Sequence, residues 1–214
     1  EGAFRNCIRM DVTATDVPNL HGVNDLSNMF NDCDSLVYNP TINTWRTDSI
    51  TNIEAMFLDA KKFNQPIGSW NTENVTDMSR VFYRATSFNQ DISGWNTSNV
   101  TTMQSMFYLA EAFNQPIGSW NTANVTSMWG MFKDAKVFNR DISGWNTSNV
   151  TTMLSMFYSA KAFNQDIGNW NVEKVTSTDY MFHSAEAFNQ DLSRWTLKNV
   201  SGVVYMFSAP LNKG

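Results

Sequence analysis

Apolar residues return along this chain in a fixed frame of 25 residues. The frame reads Phe-Asn-Gln-(Asp/Pro)-Ile-x-x-Trp-Asn-Thr-x-Asn-Val-Thr-x-Met-x-x-Met-Phe-x-x-Ala, and six full-length copies follow it, some with substitutions. A unit of this length cannot bury its own apolar face, so neighbouring copies are expected to stack into one continuous core. The period is marked by the tryptophans Trp45, Trp70, Trp95, Trp120, Trp145, Trp170 and Trp195.

Each copy is predicted to contain one short helix and one short strand-like segment. The apolar residues of segment 100–110 fall at i, i+3, i+6, i+7 and i+10, the spacing of one helical face. Segment 113–120 contains Pro116 and Gly118 and is too brief for a helix, so it predicts an extended stretch. Strands stack about 4.8 Å apart and helices about 8 to 10 Å apart. The expected fold is therefore an α/β repeat, a curved, right-handed solenoid like those of leucine-rich repeats.

The repeats also predict the domain organisation. Residues 1–22 precede the first recognisable copy and are expected to form an N-terminal cap. Residues 23–214 are expected to form a solenoid of about seven to eight repeats, of which the last is truncated. The first copy is irregular, since it fits the frame only with two extra residues between Phe30 and Trp45.

The repeat resembles that of a known family. Segment 156–167, Met-Phe-Tyr-Ser-Ala-Lys-Ala-Phe-Asn-Gln-Asp-Ile, followed by Trp170 and Asn171-Val172, looks like the repeat of BspA-like leucine-rich-repeat surface proteins. The variant it resembles occurs in many bacterial lipoproteins and in some unicellular eukaryotes. The resemblance covers about residues 23–209 and implies a solenoid that is secreted or exposed at the cell surface. It further implies adhesion or binding of a partner molecule, and it carries over no catalytic residue.

Composition narrows the functional classes. The formal net charge of −5 disfavours a binder of the phosphate backbone, so nucleic acid is not an expected partner. No run of 18 apolar residues is present, and no transmembrane segment is predicted. Cys7 and Cys33 have no neighbours at metal-ligand spacing, but they are candidates for one disulfide.

Comparison of the copies separates structural positions from candidate binding positions. Columns that never change, such as the Trp, Phe and Asn columns, are expected to face neighbouring copies. Columns that change are candidates for a recognition surface, although rings spaced one per copy also pack against each other. Both interpretations remain open for three columns: Trp129 with Leu154; Arg80 with Tyr180 and Tyr205; and Tyr83, Tyr108 and Tyr158 with Lys133 and His183.

Two further columns are weaker candidates. Asp141, Asp166 and Asp191 occupy one column, where calcium could relieve their repulsion, but simple solvation is the favoured interpretation and no metal site is predicted. Regular threonines can order water in ice-binding proteins, but Thr97 and Thr101 are four residues apart and need not share a face.

The chain lacks a phosphate-binding glycine loop, a His-Glu-x-x-His motif and a Gly-x-Ser-x-Gly motif, so neither an enzyme nor a cofactor is predicted. The expected function is an extracellular or cell-surface recognition module whose partner is a protein or glycan on another cell or surface. The alternative is a structural surface array or spacer. Carbohydrate binding and ice binding are minor alternatives, and the oligomeric state is left open.

Overall fold

The computed structural model describes residues 2–8, 15–201 and 203–207. Across these ranges the chain coils so that equivalent residues of successive copies lie side by side in parallel. Within the described ranges there is no α-helix, and the one helical element is the 3-10 helix η1, Ile42–Thr44. Isolated parallel bridges join neighbouring copies along the series Asp25, Asn52, Asp77, Thr102, Ser127, Thr152 and Ser177, and a further bridge joins Phe182 to Phe207.

A run of tight turns replaces the helix that the sequence predicts in each copy. In segment 103–110, Ser105 has φ of 53° and Leu109 has φ of 55°. These values are left-handed, so the right-handed helical path cannot continue through either residue. The turns still bring every third or fourth side chain to the interior, which explains why the apolar spacing looked helical. The same two columns are left-handed in copy after copy, at Asn28, Ala55, Arg80, Ser105, Gly130, Ser155, Tyr180 and Tyr205, and at Asp32, Asp59, Arg84, Leu109, Asp134, Ser159 and Ser184.

Backbone hydrogen bonds alternate between neighbouring copies and the local turn. The Ser105 N–H donates to the Trp129 carbonyl oxygen at 2.8 Å, and the Phe107 N–H donates to the Met131 carbonyl oxygen at 2.9 Å. Between them, the Met106 N–H donates to the Met103 carbonyl oxygen at 3.2 Å and closes a turn. Every second N–H in this run therefore crosses to the next copy, and the intervening ones stabilise the bends.

The segment expected to be strand-like, 113–120, contains no β-bridge; side chains connect it to its neighbours instead. The Asn114 N–H donates to Asn89 Oδ1 at 2.9 Å, and Gln115 Nε2 donates to the same oxygen at 2.9 Å. Trp120 Nε1 donates to a carbonyl oxygen of the preceding copy at 3.2 Å. The prediction that the asparagine column faces neighbouring copies is confirmed. The parallel bridges lie elsewhere in the copy.

Columns of stacked rings fill the interior. The Phe107 ring lies between the Phe82 and Phe132 rings, with centroids 5.6 Å away on each side. Phe113, from the second phenylalanine column, stacks on Phe107 at 3.9 Å. These side chains are fully buried, as expected for the columns that do not vary.

The N-terminal segment contains another turn of the stack. Gly2 and Asn6 have φ of 60° and 62°, and they match the two left-handed positions of the following copy. The Phe4 ring stacks on Phe30 at 5.6 Å, which extends the phenylalanine column. Residues 2–8 therefore repeat the local structure of the copies within the predicted cap.

Two parts of the predicted domains lie outside the described residues. These are positions 1 and 9–14 of the cap 1–22, and positions 202 and 208–214 of the solenoid 23–214. In the irregular first copy, η1 directly precedes Trp45, in the stretch that carries the two extra residues. The insertion is thus accommodated by a short 3-10 turn without loss of the tryptophan from the core, where Trp45 is 6% exposed.

The left-handed turns predict an unusual response to glycine. Ser155 has φ of 54°, and the equivalent residue of the preceding copy is Gly130. We expect Ser155→Gly to leave the free energy of unfolding unchanged or to raise it by up to about 1 kcal/mol, because glycine adopts positive φ freely. Ser155→Val should lower it by about 1–3 kcal/mol, because a branched side chain strains this conformation. Urea denaturation of both variants measures these changes; a helix at this position would give the opposite ranking.

Candidate functional site

One variable column forms a continuous ladder of rings on the surface. The Tyr83 and Tyr108 rings stack at 4.5 Å. Lys133 Nζ lies 5.3 Å from the Tyr108 centroid and 4.6 Å from the Tyr158 centroid, and Tyr158 stacks on His183 at 4.9 Å. These five residues, here called the aromatic ladder, are all partly exposed. The lysine continues the stack by cation–π contact where a ring is missing.

Packing in the ladder also affects the titration of Tyr83. Burial, followed by the influence of the neighbouring Tyr108, raises the pKa of Tyr83 above its ordinary value. A tyrosine with a raised pKa remains protonated at neutral pH and can donate a hydrogen bond as well as accept one.

The candidate residues of the second variable column, Arg80, Tyr180 and Tyr205, do not form one surface. Arg80 Nη1 lies 3.1 Å from Glu54 Oε1, so the guanidinium is paired toward the preceding copy. Between Arg80 and Tyr180 the column contains only buried Ser105, Gly130 and Ser155. Tyr180 instead stacks on Tyr205 at 5.7 Å and contacts His183 at 6.0 Å. Arg80 thus lies near one end of the aromatic ladder, and the two tyrosines lie near the other.

Trp129 is the main irregularity of the surface. Its side chain is 44% exposed, whereas the tryptophans of the repeat frame are mostly buried. It lies beside Gly130 and borders a shallow groove of about 260 Å³. The groove is lined by Arg80, Tyr83, Gln104, Ser105, Tyr108, Trp129, Gly130 and Lys133.

The groove joins residues from all three variable columns. Trp129 comes from the first column, Arg80 from the second, and the tyrosines with Lys133 from the third. Leu154, the sequence partner of Trp129, is partly buried and does not line it. Gln104 also lines the groove, although it is not among the residues that the sequence predicts for the site. It shares a variable column with Trp129, and that shared column is the feature from which it could have been predicted.

Charge in the groove differs from that of the whole chain. Its lining includes two cationic side chains, Arg80 and Lys133, and no carboxylate. Among the described residues, Lys133 has no carboxylate within ion-pair distance. Arg80 is paired with Glu54 outside the lining, so Lys133 is the cation of this groove that has no ion pair among the described residues. The net charge of the whole chain is −5.

The aspartate column serves local turns. Asp141 Oδ1 accepts the Ser143 N–H at 2.9 Å, and Asp191 Oδ1 accepts the Ser193 N–H at 2.8 Å. These backbone bonds hold the pKa of both carboxyl groups below their usual value. Asp166 likewise accepts a backbone N–H two residues ahead at 2.9 Å. Each carboxylate thus has a partner in its own copy, and the described residues contain no cluster of three or more potential metal ligands.

Threonines of the repeat lie in two different environments. Thr97 is 1% exposed and its hydroxyl donates to the Asn121 carbonyl oxygen at 3.0 Å. Thr101 is exposed and its hydroxyl donates to the Thr76 carbonyl oxygen at 3.1 Å. The two residues therefore do not form a shared array, and their hydroxyls are used to join copies.

The candidate disulfide is absent from the structure, where Cys7 and Cys33 are both free. Cys33 is buried, and its thiol donates to the Phe4 carbonyl oxygen at 3.0 Å. Burial raises the pKa of Cys33 to about 11. Cys7 is exposed. The Cys33 thiol thus helps attach the N-terminal turn to the next copy.

Comparison with known proteins places the repeats in a family. Two overlapping segments, residues 1–119 and 109–213, match the model of a family described as Mycoplasma protein of unknown function, DUF285. No curated protein and no solved structure matches the chain. In the described part of the chain, no helix has the length and apolar character required to cross a membrane.

The two cysteines are expected to differ sharply in reactivity. At pH 8, iodoacetamide should alkylate Cys7 in the folded protein and spare Cys33, because Cys33 is buried and its thiol stays protonated. Mass spectrometry should find one modified cysteine under native conditions and two in denaturant. If neither reacts until a reductant is added, the two residues form the disulfide that the sequence allowed.

Proposed function

The chain belongs to the DUF285 family, whose function is unknown, and from this premise we propose that it is a non-enzymatic recognition or adhesion module. It binds another macromolecule through an extended face of its repeats. The face consists of the groove at Trp129 and the adjoining aromatic ladder.

The exposure of Trp129 is the observation that carries this proposal. Burial of a tryptophan against a partner gives a large gain in binding free energy, and residues that dominate interfaces are enriched in Trp, Tyr and Arg. All three types meet in this groove. The ladder holds the neighbouring rings in place before binding, so little conformational entropy is lost when a partner docks.

The groove offers little for catalysis. Its lining consists of rings, an amide, a hydroxyl and cations, without a paired acid and base. His183 is stacked on Tyr158, and its Nδ1 lies 3.1 Å from Ser184 Oγ. We therefore assign the face to binding, and we propose no cofactor.

The resemblance to BspA-like leucine-rich-repeat surface proteins supports the proposed setting. It favours a solenoid of the leucine-rich-repeat type that is secreted or displayed at a cell surface. A protein or glycan on another cell or surface is the partner that this setting implies. The parallel register of the copies supports the solenoid.

The end of the described stack favours a second candidate, association into an array. Val203, Tyr205 and Phe207 are 55%, 64% and 51% exposed. A second copy that stacks head to tail against this surface would cover these side chains. Such a contact is heterologous and would extend into a filament.

Capture from cell-surface and extracellular extracts tests the recognition proposal. Trp129→Ala should weaken capture by about 30-fold or more, which corresponds to about 2 kcal/mol at an interface hot spot. Val137→Ala is the matched control, because Val137 is also 44% exposed but lies outside the groove. Equal capture by both variants would place recognition elsewhere on the repeats.

Sedimentation at increasing protein concentration tests the array. Head-to-tail association should give progressively larger species, and Phe207→Glu should abolish them because it buries a charge at the contact. Val137→Glu introduces the same charge on the side of the stack and should leave association unchanged. A single monomeric species at all concentrations contradicts the array.

A further inference from the structure

We infer that the groove at Trp129 binds an acidic carbohydrate, that is, a saccharide carrying carboxylate groups. This inference rests on the proposed function, since it specifies the chemistry of the ligand at the same site. Three features of the groove carry it: an exposed aromatic platform, neutral hydrogen-bonding groups beside it, and two cations without a carboxylate in the lining.

Trp129 supplies the platform. A pyranose ring has a face of C–H groups that is apolar and slightly positive, whereas the face of an indole is apolar and slightly negative. The two faces are complementary, and the 44% exposure of Trp129 leaves its ring accessible. The adjacent residue, Gly130, has no side chain to cover this part of the groove. A Cβ at that position would lie 3.3 Å from Ser105 Oγ.

Neutral polar groups around the platform suit sugar hydroxyls. Gln104 offers an amide that both donates and accepts, and its side chain is partly exposed. The Tyr83 hydroxyl is protonated at neutral pH, as is usual for tyrosine, and burial raises its pKa further above that range. Tyr108 lines the same groove beside it. Groups that can donate and accept from fixed positions match the alternating donors and acceptors of neighbouring hydroxyls on a sugar.

The cations select for negative charge. Lys133 is held over the Tyr108 and Tyr158 rings, and no carboxylate of the described residues pairs with it. Arg80 donates to Glu54 through Nη1 at 3.1 Å, which leaves its other N–H groups available. A bound uronate would therefore meet the ammonium group of Lys133, which has no ion pair among the described residues, and the N–H groups that Arg80 does not direct at Glu54.

Other occupants fit the groove less well. An apolar protein side chain requires an apolar pocket, but Trp129 is the one exposed large apolar residue in this lining. A nucleic acid backbone requires a row of cations, whereas two line the groove of a chain with net charge −5. The volume of about 260 Å³ suits one or two sugar units of a longer chain.

Matched saccharides test the inference on the intact chain. Isothermal titration calorimetry should compare oligogalacturonate, oligoglucuronate and oligomannuronate with their methyl esters, which keep the sugar rings and remove the charge. At least one uronate should bind at least tenfold more tightly than its ester, and this advantage should shrink as salt is raised.

Variants separate the contribution of the aromatic platform from that of the positive charge. Trp129→Ala should abolish binding of both forms, and Trp129→Phe should restore part of it because a ring is retained. Lys133→Met keeps the length and apolar stem of the side chain, and it should reduce the preference for the uronate while binding of the ester persists. Val137→Ala should behave as wild type. Near-ultraviolet circular dichroism verifies that each variant is folded.

The outcomes separate this inference from the proposed function. If no uronate binds, or if the esters bind as tightly, the acidic carbohydrate is excluded. In that case, capture of a surface macromolecule that Trp129→Ala abolishes would still support the recognition module. If Trp129→Ala retains both saccharide binding and capture, the acidic-carbohydrate inference and the proposed recognition function are both contradicted.

Discussion

Parallel register between neighbouring copies is the constraint on which the rest of this structure depends. Each residue lies against its equivalent in the next copy, so Phe stacks on Phe, Trp on Trp and Asn on Asn. A shift of one residue would break the ring columns and the amide ladder together, because both have the same period. The uniform core, the hydrogen-bonded sides and the surface columns all follow from this one register.

The register also compensates for backbone strain. Residues such as Leu109 and Ser155 adopt positive φ without being glycine, which costs of order 1–3 kcal/mol each. In return, the N–H groups of the turn run reach carbonyl oxygens of the next copy, and the phenylalanine rings remain stacked. Close approach imposes a further requirement at Gly118, where a Cβ would lie 2.5 Å from the Asp141 carbonyl oxygen. That contact accounts for the glycine in this copy.

The proposed recognition, by contrast, depends on departures from uniformity. The repeat produces identical columns. On a surface made only of such columns every copy is equivalent, so no copy offers a distinct binding site. In the copy that contains Trp129, the variable column shared with Leu154 carries an exposed ring and the adjacent position is glycine. A lysine enters the aromatic ladder four residues later. The groove forms where these changes coincide. A repeat scaffold can therefore vary its binding chemistry at a few positions while the stacked core remains unchanged.

The residue pattern alone predicts the period, the stacking of copies, the interior columns and the variable columns that contain the candidate residues. These follow from residue identities at equal spacing, which the chain repeats many times. The sequence could not distinguish a helix from left-handed turns at 103–110, because both bring the same apolar residues inward and φ at Ser105 depends on bonds to the next copy. Nor could it decide that Arg80 and Trp129 border one groove while Leu154 lies outside it, or that Cys33 bonds to Phe4 rather than to Cys7. Those outcomes depend on contacts between residues far apart in the chain, which form only when the copies pack against one another.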